Sequence, residues 1–528
     1  YANVYADASA SVLYSTSYNL YGGANSGSAT GYDGNDIINL DFNGNIQALA
    51  QGTATANGAN YASASVAASA DLQMTNSNYY SIYGSQGSDQ ISLSFLGDVD
   101  ATADGIANAT INVSSPSSSF AWAGIWASAT GYITDNSISI YGGDNSGGAD
   151  GNDTINVTMD INAAAKASGS AFAQNLASSA NSMASIYAYG YASIYTNDLS
   201  LYGSAGEDMI SVDFDAKADA QAMGLASAQS DSVGATATAY VDYNNINIYG
   251  GNSSSNDEAD IIDVDLLASA NAVANAVTAS GAPASVASNY AYAYAYNSGN
   301  NINIQGSTGN DMISVDLSAI ANANAANAGP SSVESALAYL SSNTITIDGG
   351  TGSDTINVGL MASANGASAY ASIANNSLAI YGGAGDDTIG VSFMADGAFG
   401  NSIYIEGGMG ADMIDIAGTV SSATGNNFTF YYGSTGEFGD SISGLDATVA
   451  GANNVNFMFA NSFSGANIAA RASAMAGTTD AFYYDMFATS SFALYYDADG
   501  TGSGAASTVA AFTTDIGVSN LNISYATV

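Results

Sequence analysis

One aspartate recurs along this chain in a constant setting, with glycines before it and an apolar-polar-apolar triplet after it. The copies end at Asp36, Asp89, Asp153, Asp208, Asp260, Asp311, Asp354, Asp387 and Asp412, with a degenerate tenth at Asp440. Ile380–Val391 (IYGGAGDDTIGV) shows the pattern best, and IYGSQGSDQISL (82–93), LYGSAGEDMISV (201–212) and IDGGTGSDTINV (347–358) are close variants. The glycines turn the chain through positive φ and let backbone carbonyls gather; the aspartate sets a carboxylate beside them. Carboxylate plus carbonyl is the ligand chemistry of a hard divalent cation, calcium above all. One loop supplies only part of the roughly six to eight oxygens calcium takes, so two loops must stack. Aspartate and glycine are also common in turns, but recurrence with a fixed following strand favours the metal.

Three copies carry longer loops, Gly22–Asp36, Gly142–Asp153 and Gly250–Asp260, and these alternate with the short Gly84–Asp89, Gly203–Asp208 and Gly306–Asp311. The long loops hold further acids, Asp33, Asp144, Asp150, Asp257 and Glu258, as candidate ligands for additional cations. Alternation allows two arrangements. Long loops bulge outward from a two-rung superunit, or odd and even motifs line opposite edges of the fold.

Composition points the same way. The chain has 46 acidic and three basic residues, a formal net charge of −43, so nucleic acid and anionic membrane are repelled. No run is apolar enough to span a bilayer. Histidine and cysteine are absent, which removes disulfides and the usual zinc, copper and haem ligands. It also removes the base that activates a serine or cysteine nucleophile, so no enzyme is expected. Carboxylate pairs arise by chance among so many acids, and calcium is the simpler claimant. Lys166 and Lys217 lie near Asp160, Asp215 and Asp219 in sequence and read as exposed ion pairs of small worth.

The elements that position these aspartates are long arms between the motifs. The arms alternate with period two, as in Tyr290–Tyr296 (YAYAYAY) and Ala216–Ala222 (AKADAQA). That is strand spacing with alanine on one face; an alanine-rich helix is the rival reading. Successive motif aspartates are 53, 64, 55, 52, 51, 43, 33, 25 and 28 residues apart, so the repeat shortens toward the C-terminus. The expected fold is all-β: a parallel solenoid, each rung one outgoing and one returning strand, tapering along the stack. It covers residues 1–416; a degenerate transition follows over 417–464 and a C-terminal β cap over 465–528.

Gly382–Gly390 (GGAGDDTIG) matches, position by position, the Gly-Gly-x-Gly-x-Asp-x-apolar-x nonapeptide of the repeats-in-toxin (RTX) family. The chain resembles that family over nine good copies, although family members run the nonapeptides in tandem and here each is followed by an arm. The resemblance implies a calcium-stacked β-roll. Phe492–Ala506 (FALYYDADGTGSGAA), Val509–Phe512 and the apolar end resemble the C-terminal part of many RTX proteins, which caps the roll and carries a type I secretion signal. Export to the cell exterior or surface is therefore implied. The segment from Asp497 to Gly502 reads either as one more calcium loop or as a hairpin turn.

These features together predict an extracellular, calcium-dependent structural protein that assembles with itself into a filament or matrix fibre. Its alternatives are a surface-layer protein and an adhesin or glycan-binding module for cell-surface glycan. The tyrosines are spread along most arms rather than clustered, which favours architecture over sugar binding. Residues 1–18 alternate like an edge strand, read as a processed end or a piece of a longer product, and are the expected joint between subunits.

Overall fold

The computed structural model describes residues 2–13, 17–22, 35–85, 87–111, 119–143, 151–175, 181–228, 230–251, 259–276, 288–326, 332–445, 454–463, 467–468, 481–488, 491–498, 506–513 and 521–526. Apart from two 3-10 turns, the regular structure among these residues is strand. The alanine-rich arms are strands, not helices. None of the described elements is a helix long and apolar enough to cross a membrane.

Three ladders of parallel strands make the solenoid. The first runs through the strands that leave the motif aspartates: Ile37–Gly58, Gln90–Ile111, Thr154–Asn175, Met209–Ser227, Ile261–Ala276, Met312–Ala326, Thr355–Asn365, Thr388–Phe399 and Met413–Thr424. Register is held from the residue after the aspartate, as in Met209↔Thr154 and Met209↔Ile261. A second ladder contains Asn181–Tyr195, Ser230–Asp242, Ser288–Ser298, Val333–Ser341 and Ser368–Ala374. The third contains Asp198–Ser204, Asn245–Gly251, Asn301–Thr308, Thr344–Thr351, Ser377–Ala384 and Ser402–Met409, each entering a glycine motif.

The returning arm is the single strand expected in Tyr61–Ser85 and Phe120–Gly143, but from Asn181 to Ala384 it is two strands. They meet at a corner where one residue takes a left-handed backbone: Thr196 (φ 55°), Tyr243 (56°), Gly299 (67°), Ser342 (58°), Asn375 (58°) and Gly400 (65°). The expected taper is present. Strands of the first ladder are 22 residues long in the first three rungs and 11 or 12 in Thr355–Asn365, Thr388–Phe399 and Met413–Thr424.

Side-chain size follows the cross-section. Along Met209–Ser227 the fully buried residues are Ile210, Val212 and Phe214 near the aspartate corner, then Ala216, Ala218, Ala220 and Ala222. The large residues fill the part bounded by all three ladders. The alanines lie where the outgoing and returning strands alone face each other. Packing there is close enough that a Cβ on Gly190 would press on the carbonyl oxygens of Asp219 and Ala163. Close contact of small residues maximises dispersion per unit of chain, which is how an alanine core can hold.

The stack ends in aromatic packing. Asn427–Tyr432 pairs with Asn454–Phe459, which pairs with Leu521–Tyr525. Ser507–Phe512 pairs in parallel with Asp440–Ser443 and antiparallel with Ser491–Asp497. Phe428, Phe430, Phe457, Phe459 and Phe482 are fully buried here. This is the expected β cap. Ser491–Asp497 and Ser507–Phe512 run antiparallel, and residues 499–502 of the segment that reads as a calcium loop or a hairpin turn lie outside the described residues.

Candidate metal centre

Every described motif aspartate sits at one corner of the solenoid, where the third ladder turns into the first. Odd and even motifs share this edge, so the arrangement with alternate motifs on opposite edges is overturned. The reason is register: each rung closes one full circuit between successive aspartates whatever its length, so every aspartate returns to the same corner. Asp33, Asp144, Asp150, Asp257 and Glu258 lie outside the described residues.

The aspartates form one continuous column. The backbone N–H of Asp36 donates to Oδ1 of Asp89, and the same bond links Asp89 to Asp153, Asp153 to Asp208, Asp208 to Asp260, Asp260 to Asp311, Asp311 to Asp354, Asp354 to Asp387, Asp387 to Asp412 and Asp412 to Asp440, at 2.7–3.0 Å. The residue before the aspartate carries a ladder running the other way: Asn152 N–H donates to Ser88 Oγ at 3.0 Å and Ala411 N–H to Asp386 Oδ1 at 3.0 Å. The loop backbone is thereby tied to both neighbouring rungs through side-chain oxygens.

The second carboxylate oxygen is different. Oδ2 of Asp36, Asp354, Asp387 and Asp412 is buried and accepts no hydrogen bond from the described residues. It faces the first glycine of its own loop. A Cβ on Gly349 would lie 2.6 Å from Oδ2 of Asp354 and 2.6 Å from the carbonyl oxygen of Gly382 in the next rung. Only glycine lets these two oxygens converge. The outer glycines are equally constrained: Gly350 (φ 99°), Gly383 (108°) and Gly408 (99°) form one column, and a Cβ on Gly383 would overlap the carbonyl oxygen of Gly350.

Electrostatics mark the column as short of positive charge. Burial, together with the neighbouring aspartates, pushes the Asp354 and Asp440 carboxyls up to about 7 and that of Asp412 up to about 6; burial also raises Asp387. Lys217, far along the first ladder, makes an ion pair with Asp215 there and not with this corner.

Calcium is the ion implied by the sequence, and the donors present fit it. They are hard oxygens, one carboxylate and one carbonyl brought together per rung, with burial that penalises bare charge. Among the described residues no three acidic side chains converge on one point, so backbone carbonyls must supply much of any coordination shell.

A second column, not anticipated from the sequence, supplies the comparison. Asn136, Asn197, Asn244, Asn300, Asn343, Asn376, Asn401 and Asn426 stack at the corner between the second and third ladders, all buried. Each backbone N–H donates to Oδ1 of the next asparagine, as from Asn343 to Asn376 at 3.0 Å. Each amide also donates, Asn343 Nδ2 to Asn376 Oδ1 at 3.1 Å and to the carbonyl of Asn297 at 3.0 Å. The signal was present as Asn-x-apolar-x-apolar, in Asn244–Ile248 (NNINI) and Asn343–Ile347 (NTITI), one strand ahead of each glycine motif.

The two corners solve the same backbone problem with different chemistry. An amide column is neutral and satisfies itself, whereas an ionised carboxylate makes the same N–H bond yet has no proton to donate. Comparison with known proteins adds no relative: no family model matches the chain, and no curated protein matches it.

Proposed function

We propose that this chain is an extracellular structural protein whose aspartate corner binds calcium and which assembles with itself into a filament or matrix fibre. The observation that carries the proposal is the contrast between the two corner columns. Asparagine would serve the backbone equally well at the glycine corner, yet aspartate stands at all nine good motifs. A cation at Oδ2 accounts for that choice and offsets the repulsion of carboxylates stacked about 4.8 Å apart. The RTX resemblance supports calcium as the ion and secretion as the route. The role is architectural rather than catalytic.

Assembly is read from edges. Among the described residues, Ala2–Leu13 and Ser17–Tyr21 pair only with Tyr61–Ser85, and Ile37–Gly58 pairs only with Gln90–Ile111. Their second edges are taken to pair with a strand of another copy, a head-to-tail contact that does not close and so extends. A layer bridged laterally by calcium is the second reading. It is favoured by the outward Asp213, Asp265 and Asp316, which stand opposite one another on consecutive rungs. Electron microscopy of the full chain and of a form lacking residues 1–18, each with calcium and with chelator, tests the proposal. Calcium-dependent filaments from the full chain alone support it. Equal assembly by the shortened form rejects the end-to-end joint, and assembly indifferent to chelator during polymerisation rejects the calcium requirement.

A further inference from the structure

The third ladder carries a column of tyrosines on its outer face, one residue before the glycine motif. Tyr21, Tyr83, Tyr141, Tyr202 and Tyr249 occupy successive rungs. Their ring centroids are 5.0, 4.9, 4.6 and 4.8 Å apart and their planes differ by only 6°, 2°, 1° and 1°. Tyr21 is exposed and the other four are half-buried, each face covered by its neighbours. The column stops where Gln305 and Asp348 take the tyrosine position.

Cross-strand stacking of aromatics contributes stability, and any aromatic residue would provide it. Phenylalanine, with 17 copies in the chain, never occurs in this run. What tyrosine adds is a phenol, and five phenols are held face to face where solvent can reach them.

We propose that this column is a site of oxidative phenol coupling, in which tyrosines on adjacent rungs are joined as dityrosine. Each phenol gives up one electron and one proton to become a phenoxyl radical. Two such radicals form a carbon–carbon bond between the positions ortho to oxygen, and the two ring hydrogens then move to the oxygens to restore the phenols. The two electrons and two protons reduce hydrogen peroxide to two waters, with an extracellular haem peroxidase as carrier. The unpaired electron occupies orbitals perpendicular to the ring, so rings lying face to face point them at each other. Tilted rings do not. The second ladder provides an internal comparison: Tyr240 and Tyr296 are stacked at 4.9 Å and 8°, whereas Tyr191–Tyr240 and Tyr339–Tyr370 are tilted by 40° and 56°. Coupling across rungs would lock the solenoid covalently in a chain that has no cysteine. The proposal depends on ring geometry alone and is independent of whether calcium binds.

The test treats the dilute full chain with peroxidase and limiting hydrogen peroxide, then maps linked peptides by mass spectrometry and follows dityrosine fluorescence. Expected are intramolecular links, each with loss of two hydrogens, at Tyr83–Tyr141, Tyr141–Tyr202 and Tyr202–Tyr249, with Tyr240–Tyr296 next. Tyr141→Phe keeps the stack, checked by circular dichroism, and abolishes the first two links while Tyr202–Tyr249 persists. The same treatment in denaturant scatters the links. Links dominated by the exposed Tyr5, Tyr79 and Tyr243, links chiefly between molecules, or link positions unchanged by denaturant would each overturn the proposal.

Discussion

The backbone N–H of Asp354 donates to Oδ1 of Asp387 at 2.7 Å, and that oxygen's twin, Oδ2 of Asp387, is buried without a hydrogen bond from the described residues. One oxygen builds the fold, and under the proposed function the other binds the cation. Asp387→Asn separates the two roles. The amide keeps the backbone bond and carries no charge, so in chelator the variant should melt above the parent. In calcium its gain in melting temperature should be smaller than the parent's. Thermal melts under both conditions check this; an equal calcium response would remove Asp387 from the set of ligands.

The asparagine column should respond differently. Asn343→Ala leaves the backbone N–H of Asn300 and nearby carbonyls buried without their partners, a loss of about 1–3 kcal/mol for each buried group left unsatisfied. The loss should be the same with and without calcium, because no charge is involved. Denaturant titrations in both conditions measure it, and a calcium-dependent loss would show that the two corners are not separate.

Glycine positions give a steric prediction. Gly385 has φ 143°, and a Cβ there would overlap the carbonyl oxygen of Gly352. Gly385→Ala should cost about 1–3 kcal/mol in strain or more and weaken calcium binding. At Gly436 a Cβ would meet nothing nearer than Ser434 Oγ at 3.5 Å, so Gly436→Ala should be nearly neutral. Denaturation of the pair in parallel tests the ranking.

The outer acids set a pH dependence. Burial, then the charges of Asp213 and Asp316, push the Asp265 carboxyl up to about 6. Its folded value lies above its unfolded one of about 3.9, so the folded state holds the proton more tightly. Stability is then greatest below about pH 4 and declines as pH rises toward 6. Asp242, raised to about 6 by burial, and Asp354 and Asp440, raised to about 7, act in the same sense. Metal-free protein should therefore melt higher at pH 5 than at pH 8. Asp265→Asn relieves like charges on opposed strands and should add about 0.2–1 kcal/mol at pH 8. Melts across this range check both, and a flat or rising profile in chelator would contradict the assignment.

Much of this fold was legible because its repeat is written in residue types of narrow use. Glycine before aspartate and Ile-x-Val after it fixed both the corner and the strand leaving it. The shrinking interval between aspartates gave the taper. The division of the returning arm was not legible in the same way. Its left-handed corner residue is Thr196, Tyr243, Gly299, Ser342 or Asn375 in successive rungs, and no single residue type announces it. The signal lay one position later, in the asparagine, which is inconspicuous in a chain rich in that residue. The common edge of long and short motifs likewise followed from rung closure, which loop length does not reveal.

The central claim is that the aspartate column is stabilised by calcium. Its most direct test is the thermal midpoint of the unassembled monomer at pH 7.5 or thereabouts, in chelator and across a calcium titration, read by strand circular dichroism. Binding to the folded state alone should raise the midpoint progressively with free calcium, and magnesium, which demands tighter octahedral geometry, should do so less. A midpoint and strand signal identical in excess chelator and in saturating calcium would contradict the account.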